Sequence, residues 1–206
     1  MAKFESSTFG RISGRHGSAV AAKYNDKNII RIYSPPSDPK TPKQLAQRAK
    51  FSLYTHTLRP LKTTLDQGYG CHTGIAESMK TSFNTCIAGS YPNFTFDFSK
   101  LRISNGNLPQ TEVAHLVKKT GTIVSADWDS TLFFGASAKD TVNFVFFNPT
   151  TQNTFLSTAA AIRSAAKVDI TLPAAWTGAT LHCWMYFTSP LTANNSASTY
   201  LAKLTL

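Results

Sequence analysis

The sequence predicts an α+β protein that is mainly β, with an N-terminal β-ribbon and helical hairpin followed by an Ig- or fibronectin-III-like β-sandwich. Three observations lead to this prediction. Strand-forming residues punctuated by glycines open the chain, a capped amphipathic helix starts near residue 42, and short alternating runs separated by turns follow residue 91. The expected domains are residues 1–106, in which 91–106 joins the helices to the sandwich, and residues 107–206, the sandwich.

The first element is expected to be a two-stranded ribbon. Residues 18–24 and 28–33 are rich in strand formers and flank a hairpin turn at 25–27, whose sequence is Asn-Asp-Lys. Such a ribbon is marginally stable alone. It is therefore expected to pack on another part of the protein or to pair with a neighbouring chain.

The start of the first helix is well marked. Thr41 is a suitable N-cap, Pro42 suits the first helical position and Gln44 completes a capping box, which predicts a helix over 42–58. Its apolar face is expected to consist of Leu45, Ala49 and Leu53, which lie at i, i+4 and i+8. The outer side of the helix is expected to be basic.

A break or kink is expected at Arg59-Pro60, followed by a turn or two of helix over 61–67 and a loop at 68–70. A second helix is predicted over residues 73–88. Gly89 is expected to end this helix. The apolar stripe is expected to contain Ile75, Met79, Phe83 and either Cys86 or Ile87.

The region from residue 91 onward consists of short alternating runs separated by turns, a pattern typical of a β-sandwich. Residues 94–103 alternate as a connecting strand, and a turn is expected at 105–107. Seven further strands have the spacing of an Ig-like domain: 112–117, 121–128, 141–148, 154–163, 167–172, 179–188 and 198–206. Trp128, Trp176 and Trp184 are expected to be core or corner residues.

Positive charge is concentrated in the first third of the chain. Residues 1–60 carry eleven Lys and Arg against three acids, a net charge of +8 out of the total of +10. This imbalance indicates either a polyanionic or acidic partner or a solvated basic face without a partner. The residues expected to contact a polyanion or an assembly partner are Arg11, Arg15, Lys23, Arg31, Lys40, Lys43, Arg48 and Lys50.

The sequence contains no pattern typical of an active site or a metal site. The five histidines lack metal-binding spacing, and the eleven acids are scattered singly. Cys71, Cys86 and Cys183 are not spaced as a disulfide framework, so reduced thiols are expected. We therefore expect no enzymatic activity, no catalytic residue, no metal and no cofactor.

The N-terminus has no apolar stretch like that of a signal peptide, and no run of about 18 apolar residues occurs. Synthesis in the cytoplasm is therefore expected, with no membrane partner.

Several segments together carry a resemblance to a known family. They are Gly10-Arg-Ile-Ser-Gly14 through Ile30-Arg31, Pro39-Lys-Thr-Pro-Lys-Gln44-Leu-Ala-Gln47-Arg48-Ala-Lys-Phe51, Leu172-Pro-Ala-Ala-Trp176-Thr-Gly178 with His182, and Ser196-x-Ser198-x-Tyr200-Leu201. In this order they resemble a family of small Bacteroidota proteins known only as a domain of unknown function. The resemblance covers nearly the whole chain and implies a bacterial or phage-related origin. It implies no activity and no catalytic residue.

Three hypotheses on function remain open. The first is a non-enzymatic structural subunit that forms a homo-oligomer, or docks on a larger assembly such as a virion or phage-derived particle, through its basic N-terminal third. The alternative is a protein that binds nucleic acid without sequence specificity. The third is a module that binds carbohydrate or protein through the sandwich loops, with Trp176 as the contact residue.

Overall fold

A computed structural model describes residues 2–3, 13–24, 27–35, 37–111 and 113–206. The described chain is α+β and mainly β, as predicted. It divides into two compact units, Met1–Thr41 and Pro42–Leu206, which we call the N-terminal unit and the main unit. The division lies far from the predicted boundary at residues 106 and 107, which stays a prediction.

The N-terminal unit contains an antiparallel four-stranded sheet. The predicted ribbon is its central pair, β3 (Ala19–Tyr24) and β4 (Lys27–Ile32), while Asn25 and Asp26 of the predicted turn lie outside the described residues. Two shorter strands flank that pair, β1 (Ala2–Lys3) on β4 and β2 (Gly14–His16) on β3, so that the order is β1-β4-β3-β2.

The main unit begins with α1 (Pro42–Leu58), whose bounds are those predicted. The break at Pro60 is a short 3-10 turn, Arg59–Leu61, and the chain continues directly into α2 (Lys62–Tyr69). The predicted loop at 68–70 is thus wrong in part, because α2 extends through Tyr69. Residue 68 within this helix is a glycine because another segment approaches closely: a Cβ there would lie 2.2 Å from the Ile103 carbonyl oxygen.

The predicted faces of the helices need correction. On α1 the fully buried residues are Tyr54 and Leu58, whereas the predicted Leu45, Ala49 and Leu53 are only half-buried. On the third helix, the predicted stripe of Ile75, Met79 and Phe83 is half-buried, and small side chains occupy the closest contacts: Gly74, Ser78, Ser82 and Cys86. Their small volume lets the helices approach closely, with the Tyr54 and Ser78 hydroxyls 2.7 Å apart.

The third helix, α3 (Gly74–Cys86), is shorter than predicted and leads directly into a hairpin of β5 (Ile87–Ser90) and β6 (Asn93–Phe96). Gly89 therefore does not end a helix; it lies in β5 at φ +92°, where a Cβ would be 2.5 Å from the Asn93 carbonyl oxygen. The predicted strand over 94–103 is also wrong. It stops at Phe96 because Asp97 accepts hydrogen bonds from the Ser99 N–H and hydroxyl and caps a 3-10 turn.

Seven strands follow, close to the predicted positions. They are β7 (Ala114–Lys118), β8 (Ile123–Trp128), β9 (Thr141–Asn148), β10 (Asn153–Ile162), β11 (Lys167–Thr171), β12 (Thr180–Thr188) and β13 (Thr199–Thr205). They form a four-stranded sheet of order β10-β9-β12-β13 and a three-stranded sheet of order β11-β8-β7, both antiparallel. The finer assignment to the Ig or fibronectin class stays a prediction.

Strands β9 and β12 are buried on both faces. Phe144 and Phe146 point into a first core, to which both sheets contribute, while Val145 and Phe147 point into a second core that they share with the helices. Cys183 and Trp184 on β12 divide between the two cores in the same way. This double burial explains why residues 141–148 are almost continuously apolar instead of alternating.

Candidate assembly and polyanion interface

The register of the N-terminal sheet places two predicted site residues in one row. Arg15 on β2 lies opposite Val20 on β3, and Val20 lies opposite Arg31 on β4. Cross-strand neighbours share a face of a sheet. Arg15 and Arg31 are therefore on the same face, and both side chains are exposed.

Two tyrosines and a further lysine extend this basic face. Tyr24 and Lys27 pair across β3 and β4 and, by the alternation of side chains, lie on the face of Arg31. Tyr33 follows Arg31 by two residues and continues this face. The Arg15 guanidinium lies 3.9 Å from the centre of the Tyr33 ring, and its Nε donates to the Gly17 carbonyl at 3.0 Å. The face thus combines cations with aromatic rings, the side chains that bind phosphate groups and stack on bases.

The opposite face of this sheet, which we call the apolar face, carries aliphatic residues beside His16, Lys23 and Asn28. Its residues include Ala19, Ala21, Ile30 and Ile32. Among the described residues of the N-terminal unit, Ala21 is the buried hydrophobic residue at 7% exposure, whereas Ile32 is 84% exposed. Lys23 also belongs to this face by its register, so it does not join Arg15 and Arg31.

The other predicted contact residues lie elsewhere. Arg11 is outside the described residues, and Lys40 is exposed at φ +49° in the segment before α1. Lys43, Arg48 and Lys50 lie on α1 in the main unit. Within the N-terminal unit, the structure therefore places Arg15 and Arg31 on one face of the sheet.

The three α1 cations have different surroundings. Lys43 is exposed, and the Lys50 ammonium lies 5.2 Å from the centre of the Phe94 ring. Arg48 lines a shallow cleft together with Phe51. Their contribution to a polyanion contact stays a prediction.

Trp176, the predicted loop contact, ends a 3-10 turn of Ala174–Trp176 and is 5% exposed. Its ring meets Phe155 edge-on at 6.4 Å in the first core. Trp128 and Trp184 are also buried, so the prediction that the three tryptophans are core residues is confirmed.

The thiols and the His182 imidazole of the main unit, which could in principle support chemistry, do not form a common site. Cys71, Cys86 and Cys183 are free thiols, and burial raises the pKa of Cys86 to about 11. Burial lowers the pKa of His182, whose Nδ1 is 2.9 Å from the Tyr200 hydroxyl. Within the described residues, no group of three or more His, Cys, Asp or Glu side chains is arranged to hold a metal.

None of the helices in the described part of the chain is both long enough and apolar enough to cross a membrane.

Fold and site together define a mainly β α+β protein with a small basic sheet in its N-terminal unit and two aromatic-rich cores in its main unit. The model of the family of unknown function DUF6266 matches residues 11–202, and the chain belongs to that family. The resemblance to a domain of unknown function is thereby confirmed, while the assignment to Bacteroidota stays a prediction. A comparison with curated proteins found no match.

The sequence alone did not identify Tyr33 as part of the basic face. A signal was present, because Tyr33 is two residues from Arg31 and side chains alternate along a strand. The partnership with Arg15 needed the register of three strands, which local sequence does not contain.

Proposed function

We propose that the protein is a non-enzymatic structural subunit that self-associates, or docks on a larger assembly, through its N-terminal unit. The larger assembly in this proposal is a virion or a phage-derived particle. The observation that supports it is Ile32 on the apolar face of the N-terminal sheet, which retains 84% of its accessible surface although Ala21 on that face is buried. Burying an isoleucine side chain contributes about 1.5–3 kcal/mol, so a partner that covers this face gains stability.

The size of the unit supports the same proposal. Its four strands contain two, three, six and six residues, and a sheet that small has little apolar surface to bury by itself. Contact with another subunit supplies the missing burial. A contact made through apolar residues also persists at high salt, unlike one made through charge.

Light scattering behind size exclusion tests the proposal on nuclease-treated protein at low and high salt. We expect a discrete oligomer in both salts, and Ile32→Asp should shift the mass toward the monomer. Val117→Asp is the matched control, because Val117 is an exposed strand residue (57%) of the main unit. A wild-type protein that stays monomeric at high concentration in both salts would contradict the proposal.

The second candidate is sequence-nonspecific nucleic-acid binding, favoured by the basic face of Arg15, Lys27 and Arg31 with Tyr24 and Tyr33. Such binding depends on phosphate contacts and weakens steeply with salt. Fluorescence anisotropy with single-stranded DNA measures it directly.

Arg31→Glu and Lys23→Glu form a matched pair for that measurement. Each reverses one exposed charge on a central strand, and the two residues lie on opposite faces of the sheet. We expect Arg31→Glu to weaken binding about tenfold and to reduce the salt slope by about one, with a much smaller effect of Lys23→Glu. Equal effects of the two variants would contradict a binding site on the basic face.

A further inference from the structure

A polar cleft of about 570 Å³ lies in the main unit, lined by α3, the segment that follows β6 and the start of β13. Its lining contains two cations, Lys100 and Arg102, and five side-chain hydroxyls, and no carboxylate lines it. Two cations among hydroxyl groups favour an anionic ligand, although the Ser99 hydroxyl already donates to the Asp97 carboxylate at 2.6 Å.

Some hydroxyl groups of the cleft donate their proton to an acceptor in the protein, and one does not. Thr81 Oγ1 donates to the Ser78 carbonyl and Thr85 Oγ1 donates to the Ser82 carbonyl, both at 3.0 Å. Ser198 Oγ differs because it accepts hydrogen bonds from the backbone N–H groups of Ile103 at 2.9 Å and Ser104 at 3.4 Å. Its own proton has no acceptor among the described residues, so this hydroxyl can donate to a ligand.

The segment that carries Arg102 is fixed on both sides. The Arg102 backbone N–H donates to Ser82 Oγ at 3.1 Å, and the Arg102 carbonyl accepts from the Tyr69 hydroxyl at 3.1 Å. Ser198 holds the next two residues of the segment from the opposite side. The backbone is therefore set before a ligand arrives, which reduces the ordering cost of binding.

The two cations are available to a ligand. Within the described residues, the Arg102 guanidinium pairs with no carboxylate. Lys100 Nζ lies 3.7 Å from Asp97 Oδ2, and both side chains are well exposed. An exposed ion pair of that length contributes little stability, so Lys100 can turn toward a bound anion.

We propose that this cleft binds an oxyanion, such as phosphate, sulfate or a carboxylate. The Arg102 guanidinium supplies a planar pair of N–H donors, Lys100 supplies charge, and the Ser198 hydroxyl supplies a third donor. Guanidinium groups match the spacing of two oxygens on a phosphate or carboxylate, and such charge-assisted pairs are stronger than neutral hydrogen bonds. This site lies outside the N-terminal unit and is independent of the assembly proposed above.

A neighbouring cleft indicates where the rest of a larger ligand would lie. It shares Ser99 and Tyr200 with the first cleft and contains the rings of Phe98 and His182, whose centres are 4.4 Å apart. Asp97 and Lys203 also line it. An oxyanion on a sugar ring can place the ring against these aromatic side chains. Inorganic phosphate tests the anion site alone, and a sugar phosphate tests the two clefts together.

The experiment is an NMR titration of the full-length, isotope-labelled protein with inorganic phosphate and, separately, with glucose 6-phosphate. We expect saturable shifts of the backbone amides of residues 99–104 and 198. Arg102→Gln should weaken phosphate binding at least tenfold, since it removes the charge-assisted pair while leaving the backbone bonds in place. Arg102→Lys should recover part of the affinity, and Ser198→Ala should cost less than Arg102→Gln.

Arg59→Gln is the matched control, an exposed arginine that does not line the cleft. The double variant Arg15→Gln/Arg31→Gln removes the basic face of the N-terminal unit and should leave the shifts at residues 99–104 unchanged. Tighter binding of glucose 6-phosphate than of phosphate, lost in Phe98→Ala, would support the use of both clefts. Unsaturable shifts, or equal phosphate affinities of the wild type and Arg102→Gln, would overturn the proposal, whatever the oligomeric state.

Discussion

The two units of the chain differ most in how they treat apolar side chains. In the main unit, Trp184, Phe144 and Phe146 are completely buried, and two cores lie on either face of the same pair of strands. In the described part of the N-terminal unit, Ala21 is buried while Ile32 and Tyr24 are 84% and 66% exposed. The main unit buries its largest side chains in two cores while exposing others, such as Phe134 and Leu191 in loops, and the described residues of the N-terminal unit contain no comparable core.

This difference separates stability from interaction. A region that buries large aromatic residues supplies most of the free energy of folding, because each contributes through the area it removes from water. A region that leaves isoleucine and tyrosine exposed on a short sheet contributes little to folding and is suited to contact with a partner. The comparison therefore predicts that core mutations act on stability and that sheet mutations act on association.

The largest expected effect comes from the buried ion pair of the main unit. Arg163 Nε lies 3.2 Å from Asp140 Oδ2 with both side chains inaccessible, and the guanidinium lies 3.6 Å from the centre of the Phe187 ring. Arg163→Met leaves the Asp140 carboxylate buried without its partner, which should cost about 3–5 kcal/mol. Urea unfolding measures this loss. The double variant Asp140→Leu/Arg163→Met should recover much of it, and a single variant within about 1 kcal/mol of wild type would contradict the account.

Trp184 provides the direct comparison of the two units. Its ring is fully buried and its Nε1 donates to the Leu101 carbonyl at 3.0 Å, so Trp184→Ala should destabilise the protein by about 3–5 kcal/mol. Ile32→Ala, in the exposed sheet, should change the free energy of unfolding of the main unit by less than about 0.5 kcal/mol. Equal losses in the two variants would mean that the apolar face of the N-terminal sheet is part of the folded core.

Substitutions at Gly89 and Gly17 allow the backbones of the two units to be compared. Both have positive φ, but a Cβ at Gly89 would lie 2.5 Å from a carbonyl oxygen, while nothing lies within 4 Å of one at Gly17. Gly89→Ala should therefore cost about 1–3 kcal/mol in unfolding of the main unit. Gly17→Ala should leave that transition unchanged, because its strain lies in the N-terminal unit. A thermal melt of each variant checks the difference.

The smallest effect concerns pH and the second core. Burial first, and the Lys203 charge next, lower the pKa of His182 below its ordinary value of 6.5. The folded protein therefore disfavours the imidazolium, and stability should fall as the pH drops from about 6.5 through the lowered pKa. His182→Asn should lose this part of the pH dependence. Carboxylates with a lowered pKa, such as Asp97, change stability with pH only near and below their ordinary pKa of 3.8. Their titration therefore does not overlap the pH range in which His182 is expected to act.

Local sequence was sufficient for most elements but not for their edges. The start of α1 at Pro42 and the positions of the seven strands β7 to β13 follow from capping residues and from turns between apolar runs. The β5–β6 hairpin was missed because residues 87 and 88 continue the apolar pattern of α3. Only pairing with Asn93–Phe96 decides that Ile87 begins a strand.

The candidate sites were harder to predict because they depend on distant partners. Arg163 pairs with a carboxylate 23 residues away, and Ser198 holds a segment 94 and 95 residues away. No local pattern marks either residue. The basic face was predicted only as a region of charge, since the separation of Lys23 from Arg15 and Arg31 requires the strand register.

The central claim, that the N-terminal unit mediates assembly and the main unit provides the stable body, is tested most directly by sedimentation velocity. The full chain and residues 42–206 should be compared at matched concentrations in high salt, after nuclease treatment. We predict that the full chain sediments as a discrete oligomer and that residues 42–206, which retain both cores, sediment as a folded monomer. An oligomer of the same order formed by residues 42–206 alone would contradict the claim and place the interface on the main unit.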